Sequence, residues 1–409
     1  MRASLRSWKA VTRLLLFLSI LLRPFGSYAA ATFTIAVIPD TQNYVDESTK
    51  QPESLGFFKA QTQYLAAQKQ AMHVVFVAHV GDVVQHGDGT NGTPNDAEWG
   101  AGAEWERARS AMNILAASGL PFGMSPGNHD YDNYSYLGRG MLRGSTMWKR
   151  YFGFGSSYFA GKSWYGGASD SLSYNPGLSS FQTFQAGGRN FLHIALEMEA
   201  SDQALAWAQR VIDAHPAYAT IITTHEYLNA PANEDDRAPL AVPAERAVAT
   251  TAYLKGSPGG WNDAQSVWDK LMSKNDQVFM VLCGHKWSRA IAGISKGENI
   301  RIDNNASGHP VYQILTDYQG NTLSAEGVPY KNPGGDGWLR LMEFNLDAGT
   351  MHFSTYSPTL NRYAGRNSQW TFNQHPGFSD FSLPIPCQVL HASPAIRSVA
   401  PSALPAVSR

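Results

Sequence analysis

The sequence predicts an α/β protein in which a largely parallel β-sheet carries helices on its outer faces. From residue 33 onward, apolar runs of strand length alternate with amphipathic segments of helix length, an order typical of sheets covered by helices. The chain has 409 residues, of which 43% are hydrophobic, enough to bury one large core or two smaller ones. The C-terminal third contains strands joined by turns, which indicates a second, more antiparallel sheet.

The predicted elements follow one another along the chain. Strands are predicted at 33–39, 74–80, 121–125, 190–196, 218–224 and 277–283. Helices are predicted at 54–71, 98–118, 202–214 and 264–273. The more antiparallel sheet is predicted to contain strands at 311–316, 338–344 and 351–356. Two long segments, 131–178 and 226–263, interrupt the alternation and are expected to be functional loops or disordered excursions.

The N-terminus has the composition of a secretory signal peptide. Four basic residues precede the apolar run 14–22, and small residues follow at 27–31. The run is too short to span a bilayer comfortably, so we expect cleavage near residue 31 and a secreted or periplasmic protein that leaves the membrane; an uncleaved anchor is the alternative. Loss of residues 1–31 changes the formal net charge from −1 to −6. No basic cluster then remains to bind a nucleic-acid polymer.

The rest of the chain is expected to form one domain. It should span 32–386, with the motifs that carry its chemistry within 33–290 and a β-rich part at 298–373. Residues 387–409 are mainly Ala, Pro and Ser, so a disordered tail is expected there. The two cysteines, Cys283 and Cys387, could pair in an oxidising compartment, or Cys283 could be a small buried residue at a strand end.

Polar side chains follow five of the predicted strands at the point where each strand ends. They are Asp40, Asp82 in Gly81-Asp82, the run Gly127-Asn128-His129-Asp130, His225, and His285 in Gly284-His285. Because the carboxyl ends of neighbouring parallel strands share one sheet edge, these residues are expected to converge. Each alone could be a turn or a core residue. Together, two carboxylates, an amide oxygen and two imidazoles form a ligand set for divalent transition metals, and without a cation two buried charges would be uncompensated.

The order of these motifs resembles that of the calcineurin-like metallophosphoesterases, whose pattern is D-x-H, GD, GNHD, H and GHxH. The corresponding stretches are Asp40-Thr41-Gln42, Gly81-Asp82, Gly127-Asn128-His129-Asp130, His225 and Gly284-His285-Lys286-Trp287. The resemblance covers about residues 33–290. It implies two facing mixed β-sheets flanked by helices, a four-layer α/β/β/α sandwich, with a dinuclear metal centre at the strand ends.

The resemblance also implies residue roles. Asp82 would bridge two divalent cations, which could be manganese, iron or zinc; Asp40 would lie in one site, and the other would be completed by Asn128, His225 and His285. A metal-bound hydroxide would attack phosphorus. His129 would contact the phosphate or protonate the leaving group, and Asp130 would orient its ring.

Two positions depart from the family pattern, and both belong to the site that contains Asp40. Gln42 stands where the pattern has His, and Trp287 stands where it has the second His of GHxH. A Gln carbonyl can bind a hard cation, whereas Trp has no acceptor. We therefore expect a weakened second site that favours manganese or magnesium over zinc. His79, Gln85 and His86 are further side chains that could compensate.

Two functions remain open at this point. The first is a secreted metal-dependent phosphoesterase that hydrolyses phosphate mono- or diesters of a small substrate. The alternative is a non-catalytic, metal-stabilised binding protein on the same fold. The intact Asn128-His129-Asp130 favours the enzyme, because His129 has no duty in a purely structural site, whereas the replacements at positions 42 and 287 favour the alternative.

Overall fold

A computed structural model gives the architecture of the chain. It describes residues 31–46, 55–87, 102–132, 145–170, 176–230, 246–247, 261–287, 297–319, 334–364 and 379–392. The signal-peptide segment 1–30 lies outside these residues. Within the described residues, no helix is both long and apolar enough to cross a membrane.

Fourteen strands occur in the described residues. They are β1 (Thr32–Ile38), β2 (Val74–His79), β3 (Phe122–Met124), β4 (Tyr165–Ala168), β5 (Ser180–Ala186), β6 (Arg189–Ala195), β7 (Ala219–Glu226), β8 (Val278–Gly284), β9 (Glu298–Asn304), β10 (Pro310–Thr316), β11 (Leu339–Asn345), β12 (Thr350–Ser357), β13 (Arg362–Ala364) and β14 (Asp380–Pro384). The α-helices are α1 (Phe57–Gln68), α2 (Ala103–Ser118), α3 (Thr146–Tyr151), α4 (Asp202–Asp213), α5 (Ala264–Lys270) and α6 (Cys387–Leu390). Single 3₁₀ turns lie at Gln42–Tyr44, Asn128–Asp130 and Met272–Lys274.

The strands form two mixed sheets of seven. The first sheet has the order β13-β12-β11-β1-β2-β3, with β14 also beside β12. The second has the order β4-β5-β6-β7-β8-β10-β9. Strands β1, β2 and β3 run parallel, as do β6, β7, β8 and β10. The predicted α/β class with two mixed sheets is therefore confirmed.

Alternating side chains of β1 explain how the layers stack. Ile35 and Val37 point into a core shared with residues of the second sheet, whereas Ala36 and Ile38 pack in a core with residues of α1 and α2. Successive residues of a strand face opposite sides of the sheet, so both faces of β1 are buried and its sequence is apolar from Ile35 to Ile38. Helices α4 and α5 cover the outer face of the second sheet in the same way. The layers therefore follow one another in the order helix, sheet, sheet, helix.

The C-terminal strands do not form a sheet of their own. Strands β9 and β10 extend the second sheet, while β11 pairs antiparallel with β1 and continues the first sheet through β12. The antiparallel character expected of this region is present in β11 and β12. The expectation of a separate sheet is wrong, because the edges of the two parallel groups, at β1 and β8, offer backbone groups that the late strands pair with.

Several element boundaries also differ from the sequence-based expectations. Strand β4 lies inside segment 131–178, which was expected to be a loop; its two central residues are glycines, which are weak strand formers. Residues 387–390, where a disordered tail was expected to start, form α6, and Val389 is fully buried in the core between the sheets; residues 393–409 lie outside the described residues. Both cysteines are free, and Cys283 is buried at the end of β8.

A buried ion pair links the two sheets. The carboxylate of Glu298 in β9 accepts hydrogen bonds from Arg340 of β11 and Thr355 of β12, both at 2.8 Å. It also accepts from the hydroxyls of Tyr318 at 2.8 Å and Ser379 at 2.6 Å. Buried charges are tolerated when they are paired and fully hydrogen-bonded. Glu298 therefore links, through hydrogen bonds, two sheets that otherwise pack through apolar side chains.

We expect Glu298→Ala to lower the free energy of unfolding by about 3–5 kcal/mol, because it leaves the Arg340 guanidinium buried without this carboxylate. Urea denaturation followed by circular dichroism measures the change. The matched control is Glu343→Ala, which removes a half-exposed partner of His352 and should cost at most about 1 kcal/mol. Equal losses in the two variants would contradict the role of Glu298.

Candidate metal centre

The predicted ligand residues leave strands of both sheets at the same edge. Asp40 and Asp82 follow β1 and β2, and Asn128 follows β3 in the first sheet. In the second sheet, His225 lies near the end of β7 and His285 directly follows β8. The parallel strands therefore bring the strand ends together as expected.

One cluster at this edge consists of Asp82, His225 and His285, whose potential ligand atoms all lie within 4.8 Å of one another. His225 Nε2 is 3.2 Å from Asp82 Oδ1, while His225 Nδ1 donates to Val80 O at 3.0 Å. Two atoms that share one cation at about 2.1 Å each are separated by about 3.0–3.4 Å. The spacing of His225 and Asp82 therefore fits a common cation.

The two oxygens of Asp82 face different groups. Oδ1 accepts the backbone N–H of His129 at 2.9 Å and lies beside His225. Oδ2 accepts from Gln42 Nε2 at 3.2 Å. Asp40 lies close by: its Oδ1 is 3.7 Å from His225 Nδ1, and the backbone N–H of His285 contacts both of its oxygens. This arrangement of Asp82 suits a carboxylate shared by two cations.

Buried acceptor atoms test whether the site fits a metal. The amide oxygens Gln42 Oε1 and Asn128 Oδ1 are buried and have no hydrogen-bond partner within the described part of the chain. Buried polar atoms are nearly always hydrogen-bonded. Two such acceptors at the edge that carries Asp82 and His225 suit a site for cations, so the donor set fits divalent metal ions.

The charges of the buried groups are strongly coupled. Burial opposes protonation of His225, but Asp82 and Asp40 raise its pKa to about 10. Burial would raise the pKa of Asp82, yet the imidazoles of His225 and His129 hold it well below its usual range. In the metal-free chain, the His225 proton thus balances a carboxylate. A cation would displace this proton, because a ligand imidazole binds through a lone pair.

Local backbone geometry supports the same conclusion. Asp82 and His285 have φ angles of +49° and +68°, a left-handed conformation that is uncommon for residues other than glycine. A Cβ on Gly127 would lie 2.1 Å from Asp82 Oδ1, and one on Gly284 would lie 2.3 Å from Asp40 Oδ2. These two glycines are required because the backbone approaches the carboxylates closely. Such strain is concentrated at functional sites.

His129 and Asp130 are placed differently from the expectation. The ring of His129 is oriented by the Gln85 carbonyl, which lies 2.9 Å from Nδ1. Both oxygens of Asp130 accept backbone N–H groups instead, from Gly127 at 2.8 Å and from the loop after Asp82, at 2.8 and 3.1 Å. Three backbone donors thus bind this carboxylate. Asp130 therefore positions the loops that carry Asp82 and His129.

The side chains considered as replacements for the missing imidazoles have other partners. His79 Nδ1 accepts from Gly81 N–H, and His79 Nε2 lies 3.1 Å from the hydroxyl of Thr41; burial lowers the pKa of His79 to about 3. His86 pairs with Glu104 at 2.7 Å, and the other Glu104 oxygen accepts two backbone N–H groups. Asp46 also lies near this pair. Glu104 thus holds the turn at 85–86.

Two residues not predicted from the sequence lie at the centre. Asp317 directly follows β10 and is fully buried, and Gln319 accepts a hydrogen bond from Gln42. The rule that located the other residues, polar side chains at the ends of parallel strands, also selects Asp317. The sequence alone does not show that the strand at 311–316 pairs parallel to β8, which the rule requires.

In the stretch that corresponds to GHxH, the last two residues are Lys286 and Trp287. Lys286 forms an ion pair with Glu226, which follows His225. His285 Nε2 also lies 3.7 Å from Glu226. Trp287 is partly buried and offers no ligand atom. The described residues on the Asp40 side thus contain no imidazole in the place of the two that the family pattern has.

Comparisons with known proteins identify the family. The model of the family described as "Calcineurin-like phosphoesterase" matches residues 33–287. A curated relative, "Uncharacterized protein YvnB" of Bacillus subtilis (strain 168), is 25% identical over 358 residues, covering 86% of this chain and 22% of that protein. The chain thus spans about a fifth of the length of this relative.

Two solved structures are among those found to be similar to this chain. A dimetal phosphatase from Danio rerio shares 11% identity, with 86% of this chain and 99% of that chain covered and a TM-score of 0.44. Purple acid phosphatase PPD1 from yellow lupin (Lupinus luteus) also shares 11% identity, covering 91% of this chain and 57% of that one, with a TM-score of 0.41. Because the family model matches more than half of the sequence, this chain belongs to the calcineurin-like phosphoesterase family.

Proposed function

We propose that the protein is a metal-dependent hydrolase that cleaves phosphate mono- or diesters of a small substrate. The observation that carries the proposal is the buried carboxylate of Asp82, which faces His225 through one oxygen and Gln42 through the other. His129 lies beside this carboxylate, because its backbone N–H donates to Asp82. A purely structural metal site needs no such histidine.

The donors divide into two sets that share Asp82. Asn128, His225 and His285 would hold one cation, and Asp40 and Gln42 the other. When bound, the two cations would neutralise phosphoryl oxygens and lower the pKa of a coordinated water. The protein supplies the buried, oriented lone pairs that this requires, and Asn128 Oδ1 is one that lacks a hydrogen-bond partner in the described residues.

His129 is the residue suited to proton transfer. Because its Nδ1 donates to Gln85 O, Nε2 is the ring atom that can take up or give a proton. Protonated His129 would hand this proton to the departing ester oxygen. Asp130 fixes the backbone of two segments near this histidine, at Gly127 and in the loop after Asp82.

Export of the protein is part of the proposal. The basic residues, apolar run and small residues of segment 1–31 support it. N-terminal sequencing of protein recovered from the medium or periplasm should give a first residue near position 32. A protein that retains residues 1–31 and stays with the membrane fraction would contradict cleavage.

The activity itself can be tested by a screen of phosphomonoesters and phosphodiesters with added MnCl₂. We expect hydrolysis by the wild-type protein and none by Asp82→Asn, which keeps the shape of the side chain but removes its charge. If no ester is cleaved although cations are bound, the alternative of a non-catalytic binding protein replaces the proposal.

We predict that Asp82→Asn loses both cations, because one carboxylate is shared by the two donor sets. Elemental analysis after gel filtration gives the metal content per chain. The control is Asp276→Asn, a change at an exposed carboxylate that pairs with His309, and it should keep the wild-type content. Unchanged metal content in Asp82→Asn would rule out the shared carboxylate.

We predict that His129→Ala keeps its metal but loses turnover by roughly 10²–10⁴-fold on an alkyl phosphate ester, whose leaving group needs a proton. The loss should be much smaller on a nitrophenyl ester, whose leaving group departs without one. Steady-state kinetics on both esters measures the difference, and His309→Ala, at an exposed histidine, serves as the control. An equal loss on both esters would exclude proton donation by His129.

A further inference from the structure

Asp317 is a buried carboxylate at the candidate centre to which the family pattern gives no role. Strand β10 runs parallel to β8, with Leu315 opposite Cys283. Two residues further along each strand, Asp317 and His285 therefore leave the second sheet at the same edge. Asp317 has 0% of its surface exposed.

Two amide side chains connect Asp317 to the shared carboxylate Asp82. Gln319 donates from its backbone N–H and from Nε2 to the two oxygens of Asp317, each at 2.9 Å. Gln319 Oε1 accepts from Gln42 Nε2, which also donates to Asp82 Oδ2 at 3.2 Å. The stretch Asp317-Tyr318-Gln319 thus meets the stretch Asp40-Thr41-Gln42, which has the same D-x-Q spacing.

The charges of this group call for a counter-ion. Asp40, Asp82 and Asp317 are all buried, and the contact between Gln42 and Gln319 joins the segments that carry Asp40 and Asp317. Buried carboxylates need a compensating positive charge, so this edge of the sheet suits a cation.

Gln42 gives an independent indication of a ligand. Its Nε2 lies between two acceptors, Asp82 Oδ2 and Gln319 Oε1, so the orientation of the amide is fixed by its hydrogen bonds. The carbonyl oxygen Oε1 is then a buried acceptor without a hydrogen-bond partner in the described residues, on a side chain that is 1% exposed.

We propose that Asp317 supplies a carboxylate oxygen to the cation beside Asp40, with Gln42 Oε1 as a carbonyl ligand and Gln319 holding both side chains in place. An all-oxygen set of Asp40, Asp82, Asp317 and Gln42 then replaces the two imidazoles that positions 42 and 287 do not provide. Each Asp317 oxygen retains a lone pair beyond the one that Gln319 uses. This inference rests on the proposed metal centre and assigns the ligands of its second site.

The ligand chemistry determines which cation the second site takes. Carboxylate and carbonyl oxygens suit hard cations such as manganese and magnesium, whereas imidazole suits zinc. The site at His225 and His285 contains nitrogen ligands and the Asp317 site does not. The two sites should therefore differ in affinity for zinc, with manganese able to fill both.

The test is titration of metal-stripped protein with MnCl₂, followed by calorimetry and by electron paramagnetic resonance. Wild-type protein should bind two ions and show the exchange-coupled signal of a manganese pair. Asp317→Asn should bind one ion at close to wild-type affinity, bind the second at least about a hundredfold more weakly, and lose the coupled signal. Asn128→Ala is the matched variant at the other site, and it should weaken the ion that Asp317→Asn leaves unchanged.

A second variant covers the case in which Asp317→Asn does not fold. Gln319→Ala keeps the charge of Asp317 but removes the Nε2 hydrogen bond to Asp317 and the Oε1 acceptor of Gln42, and should weaken the second ion by about 10–100-fold. The proposal is overturned if Asp317→Asn binds two ions with wild-type affinity, or if wild-type protein binds one ion only. Binding of two ions without hydrolysis of any ester would refute the proposed function but leave the ligand assignment standing.

Discussion

The buried carboxylate of Asp82 is the group on which the arrangement of the site depends. It leaves the first sheet after β2, yet its Oδ1 faces His225 of the second sheet at 3.2 Å, so the two sheets must meet at this edge with fixed spacing. The backbone at Asp82 takes a φ of +49°, and Gly127 must lack a Cβ to make room for the carboxylate. Such strain persists only where the surrounding structure holds it.

The apolar core stabilises the strained backbone around Asp82. Side chains from both sheets interdigitate between them, among them Val37, Phe76 and Ile221, and burial of apolar surface is the largest favourable term in folding. The core ends where the polar strand ends begin. Backbone groups then satisfy the charged residues: Val80 O binds His225, and Gly127 N–H binds Asp130. The rigid sheets thereby fix the positions of the side chains of the candidate metal centre.

Much of the site could be predicted from the sequence because it depends on local rules. An apolar run followed by Asp40, Asp82 or His225 needs only the knowledge that parallel strands end at one edge. Asp317 obeys the same rule, but its strand could be placed beside β8 only by knowing a pairing with residues far away in the chain. The backbone partners of Asp130 cannot be predicted from the sequence for a different reason. Sequence shows which side chains are acceptors, but it does not show which backbone N–H groups are left over to bind them.

The replacements of His at positions 42 and 287 do not by themselves imply a lost function. Replacement of an imidazole removes a ligand only if nothing else offers a lone pair at that place. Here Gln42 keeps a buried carbonyl without a hydrogen-bond partner in the described residues, and the chain brings a third carboxylate, Asp317, to the same edge. Nitrogen donors are thus concentrated at His225 and His285 and oxygen donors at Asp40, so the two halves of the centre differ in ligand softness. A centre built in this way would hold one cation through mixed ligands and the other through charge, and occupancy of the second would follow the supply of hard cations around the protein.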